Sequence, residues 1–132
     1  MERQFNQKEI ERLCRQSGIS LLVLHGSYAK GTATDKSDID VGILSQHKTD
    51  PFKIFRDFGG IFGDKFDPVF LNNAEPMISY QVALSGKPLF ESAKGVFNNF
   101  KVTAIARYQD TKKFRDLEKY YIKKAVGKST DD

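Results

Sequence analysis

The chain has 132 residues, 39% of them hydrophobic and 29% charged, with eleven Phe, one Cys and a formal charge of +4. That length builds one domain around a single core, and no segment approaches the roughly 20 consecutive apolar residues of a membrane span, so a second domain and membrane insertion are both excluded. The opening MERQFNQKEIER has no apolar stretch of the secretory kind and Cys14 has no partner for a disulfide, which fits a reducing cytoplasm. The positive charge favours anionic partners such as nucleotides, nucleic acid or an acidic protein surface. Seven of the 21 basic residues, however, fall between Lys112 and Lys128, where they read first as one solvated helix face.

In chain order, residues 7 to 17 read as a helix: Asn6 caps it, Ile10, Leu13 and Cys14 share a face, and Gly18 ends it. ISLLVL (19 to 24) is a continuous apolar run, as expected of a strand buried on both faces. SDIDVGIL (37 to 44) alternates, with Ile39, Val41 and Ile43 on one face and Asp38, Asp40 and Gly42 on the other. Asp50 and Pro51 supply a cap and first-turn pair for a helix through about Phe62, with Gly59-Gly60 leaving its end open. KFDPVFL (65 to 71) is a third strand, which Pro68 places at an edge or a bulge. A helix from Glu75-Pro76 to Leu84 is closed by Gly86, and KPLFES is a brief strand or a turn. From about 93 to Val126 the apolar residues recur at helical spacing, as one helix or two broken near Asp110-Thr111. The domain is therefore expected over 1–126, with GKSTDD (127–132) as a disordered tail. The fold class is α/β in the broad sense (α+β): a small mixed sheet flanked by helices.

The chemistry concentrates in HGSYAKGTATDKSDID (25 to 40). Residues two apart on a strand face the same way, so Asp38 and Asp40 present two carboxylates to one point. Magnesium is held by one or two carboxylates together with water and substrate phosphates, so this pair is a partial metal site that a nucleotide completes. Gly26 lets the backbone approach a bulky anion, while Ser27 adds a hydroxyl and an amide at the start of a short helix. Two-metal phosphoryl transfer needs a third carboxylate. Asp67, inside the third strand, is the candidate, with Asp64 as second choice.

The order Gly26-Ser27, ten residues, Asp38-Ile39-Asp40, then Asp67, resembles the pattern of the DNA polymerase β-like nucleotidyltransferase superfamily. The short length, the loop YAKGTATDKS, and GKPLFES followed by ARYQDTKKFRDLEKYY look like the minimal nucleotidyltransferase (MNT) antitoxins of HEPN–MNT toxin–antitoxin pairs. The resemblance covers most of the chain and implies the nucleotidyltransferase fold. It implies that Asp38, Asp40 and Asp67 bind Mg2+ and act as the catalytic carboxylates, and that Gly26 and Ser27 contact the phosphates of ATP. It further implies transfer of AMP to a tyrosine of a cognate HEPN ribonuclease toxin, which silences that partner. Many relatives carry arginines where this chain has Tyr28 and Lys30. Lys30 is the remaining candidate for phosphate contact, as a point charge rather than a bidentate fork.

Other readings stand beside this one. His25 at a strand end is read first as a structural hydrogen-bonding residue. Gly127-Lys128-Ser129 mimics the close of a P-loop, but Ile122 stands where its glycine is required, so that reading is rejected. Phe97, Phe100, Phe114, Tyr120 and Tyr121 at helical spacing belong to a core or partner face rather than to base stacking, and direct nucleic-acid binding is not expected. Two alternatives keep the fold and change the function: an antitoxin that masks its partner without catalysis, and a nucleotidyltransferase acting on a small molecule or RNA.

Overall fold

The computed structural model describes residues 5–130. The first helix, α1, spans Gln7–Gln16, and the Asn6 side chain accepts the Glu9 N–H at 3.2 Å, one of the donors that a helix start leaves without a partner. Strand β1 (Ile19–His25) follows after Gly18, whose φ of +67° suits glycine. A single short turn of helix, α2 (Gly26–Lys30), leads through a loop to β2 (Ile39–Ser45). Helix α3 is Pro51–Phe62, with the Asp50 carboxylate accepting the Phe52 N–H at 3.0 Å; Gly59 and Gly60 lie inside it and Gly63 ends it.

Strand β3 (Phe66–Phe70) runs into a 3-10 turn, Leu71–Asn73, and then α4 (Pro76–Ser85). Strand β4 (Lys87–Glu91) resolves the strand-or-turn alternative for KPLFES. Its Glu91 carboxylate accepts the Phe97 N–H at 2.8 Å, tying the strand to the start of α5 (Val96–Thr130). That last helix is continuous through Asp110-Thr111, where the Arg115 guanidinium reaches back to the Tyr108 carbonyl and the Thr111 hydroxyl. It also continues through residues 127–130, the first part of the segment expected as a tail. A single glycine inside a helix costs only about 1 kcal/mol, so Gly127 does not stop it. Residues 131 and 132 of that tail, and residues 1–4, lie outside the described residues.

The four strands form one mixed sheet in the order β3-β2-β1-β4. β1 pairs antiparallel with both β2 and β4, while β2 and β3 are parallel and joined through α3. Pro68 thus lies on an edge strand, where its missing N–H breaks no ladder. Helices α1 and α3 cover one face: Ile10, Cys14, Ile54, Phe58 and Phe62 bury against Leu22, Leu24, Ile39, Val41 and Ile43. Burial pushes the Cys14 thiol up to about 12, so it is an inert core side chain. Helices α4 and α5 cover the other face with a smaller cluster, Leu21, Val23, Leu71, Ala74 and Val82, backed by Val96, Phe97 and Phe100. Among the described residues no helix is long and apolar enough to cross a membrane.

Candidate active site

At one end of the sheet the register sets three side chains in a row. His25, the last residue of β1, is paired with Asp40, and Asp40 is paired with Asp67 on β3. Directly opposed residues of neighbouring strands project to the same face, about 4.8 Å apart from strand to strand. By alternation along β2 that is the face shared with Gly42 and Leu44, the side that α4 and α5 cover. Asp67 rather than Asp64 therefore meets Asp40, and Asp64 lies in the turn before β3. Asp38 precedes β2 and is exposed, so it stands at the entrance of the row.

The electrostatics record how close these groups are. Partial burial, a hydrogen bond with the Asp67 side chain, and the charges of Asp67 and Asp38 together push the Asp40 carboxyl up to about 6. In its protonated form Asp40 donates to the Asp67 carboxylate. Among the described residues none of the three aspartates pairs with a basic side chain, since the two ion pairs are Arg15–Glu11 and Arg56–Asp57. An all-oxygen set of carboxylates with no counter-cation is the donor chemistry a hard divalent ion selects. The set is not preassembled, however: among the described residues no three acidic, His or Cys side chains converge as metal ligands. Uncompensated like charges repel, and Asp38 in water has no reason to close on the other two.

Gly26 has a more particular reason than open space for a ligand. Its φ is +68°, and a Cβ there would overlap Asp40 Oδ2 and lie 3.1 Å from Asp40 Cγ. The glycine is what lets the Asp40 carboxylate sit against the start of α2. Within that turn the Ser27 carbonyl accepts the Gly31 and Thr32 N–H groups, which closes α2. Tyr28 packs partly buried against the large cluster, away from the row, and Lys30 is exposed at the last turn.

A cavity of about 530 Å³ opens on the row, lined by His25, Gly26, Lys30 and Asp40 and, across from them, by Val69 and by Ile78, Gln81, Leu84 and Ser85 of α4. Of the site residues expected from sequence, Gly26, Lys30 and Asp40 line it, and Asp67 adjoins it through Asp40. His25, read as structural, is part of it: its Nε2 is buried without a hydrogen-bond partner, and burial lowers its pKa against the opposing pull of Asp67. The α4 residues escaped the sequence reading altogether. Positions 78, 81 and 85 do recur at helical spacing, but nothing local says that this side of α4 looks onto the aspartates.

The comparisons with known proteins fall on the same segment. The model of the family described as Polymerase beta, Nucleotidyltransferase matches residues 7–95, from α1 through β4. The protein adenylyltransferase MntA of Shewanella oneidensis is 29% identical over 111 residues, covering 80% of this chain and 79% of its own. A toxin–antitoxin crystal structure with AMP-PNP superposes at a TM-score of 0.75 with 26% identity, over 89% of this chain and 98% of that one. The Y104A mutant of an MntA toxin–antitoxin complex superposes at 0.73 with 27% identity, over 90% and 98%. A tri-AMPylated Shewanella oneidensis HEPN toxin in complex with its MNT antitoxin shares the fold at a TM-score of 0.68 and 23% identity, over 88% and 94%. Because the family match takes in the Gly26 turn, all three aspartates and more than half of the sequence, the chain belongs to the Polymerase beta nucleotidyltransferase family.

Proposed function

We propose that this chain is the antitoxin of a toxin–antitoxin pair and that it transfers AMP from ATP to a tyrosine of its partner, a HEPN-domain ribonuclease toxin, thereby silencing it. The observation that carries the reading is the carboxylate row beside Gly26, within a chain similar over four-fifths of its length to a protein adenylyltransferase. Resemblance to toxin–antitoxin complexes, one of them holding AMP-PNP, supports both the partner and the donor nucleotide. ATP as donor assigns the reaction to the cytoplasm.

The cavity has the volume of a small-molecule site. Val69, Ile78 and Leu84 give it an apolar wall for a base and sugar, while Gly26 and Lys30 offer an amide and an ammonium to the phosphates, and Ser27, next to Gly26 though not in the lining, would add its hydroxyl and amide. Asp38, Asp40 and Asp67 would hold Mg2+, which when bound offsets the charge of the triphosphate. Asp67 is exposed on an edge strand, where a macromolecular acceptor can reach it. There its carboxylate orients the tyrosine hydroxyl and takes its proton as the tyrosine oxygen bonds to the α-phosphorus and the bond to pyrophosphate breaks.

Intact-mass spectrometry of the HEPN protein encoded beside this gene, after incubation with ATP and Mg2+, tests the reading. The mass should rise in steps of one AMP with the wild-type chain and not with the Asp38→Asn, Asp40→Asn double variant, and EDTA should abolish the gain. No gain with wild type, or an equal gain with the double variant, overturns it.

A further inference from the structure

Helix α5 lies wholly outside the segment that matches the family, and its two halves differ. The first half belongs to the body: Val96, Phe97 and Phe100 join the α4-side core, Ala104 is buried, and Tyr108 stacks on Tyr80 of α4 with ring centroids 3.9 Å apart. From Lys112 onward the helix leaves that support. A 35-residue helix is about 52 Å long, more than twice the length of the seven-residue strands it crosses. Its outer half nonetheless carries Phe114 at 77% exposure, Leu117 at 51%, Tyr121 at 60% and Ile122 at 56%. Phe114, Leu117 and Tyr121 recur at the three- and four-residue steps that share a helix face, and Ile122 flanks them. A soluble helix gains nothing from such a stripe in water, so it marks an interface.

The charges around the stripe choose among occupants. Residues 112–126 hold six basic and two acidic side chains. Lys113 and Lys124 rim one side of the stripe, while Glu118 lies between Phe114 and Ile122 at four-residue steps on the other. A second copy docked antiparallel on the stripe would set Lys113 against Lys124, which repels. A nucleic-acid backbone or an anionic lipid surface would meet Glu118 within the contact, which repels as well. A protein groove with carboxylates along one rim and a basic group opposite Glu118 satisfies every one of these charges. We propose that the outer half of α5 is the docking surface for such a groove, and that the groove belongs to the toxin, a step that rests on the function proposed above. The chemistry then resides in the family domain, and the hold on the substrate protein resides in the helix appended to it.

Calorimetric titration of the full-length chain into the HEPN protein encoded beside this gene, without ATP, tests this directly. Leu117→Glu with Tyr121→Glu should weaken binding on the order of 100-fold, and Lys113→Glu with Lys124→Glu about 10-fold. Circular dichroism of both variants should match wild type, because these positions are exposed. In AMP transfer the Leu117/Tyr121 variant should raise KM for the toxin far more than it lowers kcat. Wild-type affinity in that variant overturns the docking surface while leaving the transfer reading intact; tight binding through α5 without AMP transfer does the reverse. A wild-type dimer dissolved by Leu117→Glu, or RNA binding lost in that variant while toxin affinity stays, overturns the proposal in favour of a second copy or of RNA.

Discussion

The two faces of the sheet are made from the same strands and do opposite work. On the α1/α3 side, Ile39, Val41 and Ile43 of β2 meet Phe58 and Phe62 in a fully buried apolar cluster. On the α4/α5 side, the alternate residues of that strand are Asp40, Gly42 and Leu44, and the core there is smaller and stops short of the row. That second side also carries two buried polar atoms without a partner, His25 Nε2 and Ser79 Oγ of α4, whereas the apolar cluster on the first side is built of carbon side chains and one inert thiol, with Ser45 Oγ unpartnered at the far end of β2. Alternation along a seven-residue strand thus separates stability from chemistry by a single position. The destabilising groups, like charges held close, sit where the other face has already supplied the folding energy.

The sharpest way to break that comparison is to exchange losses between the faces. Phe58→Ala should cost about 3–5 kcal/mol of stability by urea denaturation, since it empties the centre of the larger cluster, and should leave the activity of the folded fraction alone. A cost under about 1 kcal/mol would mean that this side is not the structural one. The Asp38→Asn, Asp40→Asn double variant should do the converse. Its AMP transfer should fall about 10³-fold, equivalent to about 4 kcal/mol of barrier, with no loss of melting temperature.

Gly26→Ala joins the two effects, because it forces a side chain into a φ of +68° and onto the Asp40 carboxylate. It should destabilise by about 1–3 kcal/mol and slow transfer, whereas Gly31→Ala, at φ +76° with nothing within 4 Å, carries the backbone strain alone. The difference between the two variants measures the glycine–carboxylate contact, and equal costs would deny it.

The smallest effect is a pH slope. The Asp40 carboxyl is raised from 3.8 to about 6 in the folded chain, so it favours folding fully below about pH 4 and loses that contribution as pH rises through 6. Asp40→Asn removes the loss. At pH 7.5 and without metal the variant should be about 1 kcal/mol more stable than wild type, after allowing for solvent screening, and the gap should close at pH 4. Parallel denaturation midpoints for both proteins across that range would show that the carboxylates do not strain the fold.

Much of this was legible before any tertiary structure. Asn6 and Asp50 announced their helices because a cap is a contact between residues two or three apart. Pro68 marked an edge strand because a missing N–H is a property of the residue itself. The order and spacing of Gly26-Ser27 and Asp38-Ile39-Asp40 singled out the segment where Gly26 and Asp40 come together at one cavity. Of the two alternatives at Asp110-Thr111 the structure has the single helix: there the Arg115 side chain satisfies the Tyr108 carbonyl and lies 4.2 Å above its ring, contacts no propensity scale contains.

By itself, then, the sequence determined which residues alternate, where helices begin, and which strand positions bear carboxylates, since each is settled within a few positions of chain. Only the tertiary structure decided that Asp67 and not Asp64 meets Asp40, that His25 joins them, that Gly26 is small for the sake of a carboxylate, and that α4 walls the cavity. Those facts depend on strand order, on parallel register between β2 and β3, and on the face to which a helix returns. All are contacts between segments far apart in the chain, fixed by how whole faces bury together rather than by any residue's own preference.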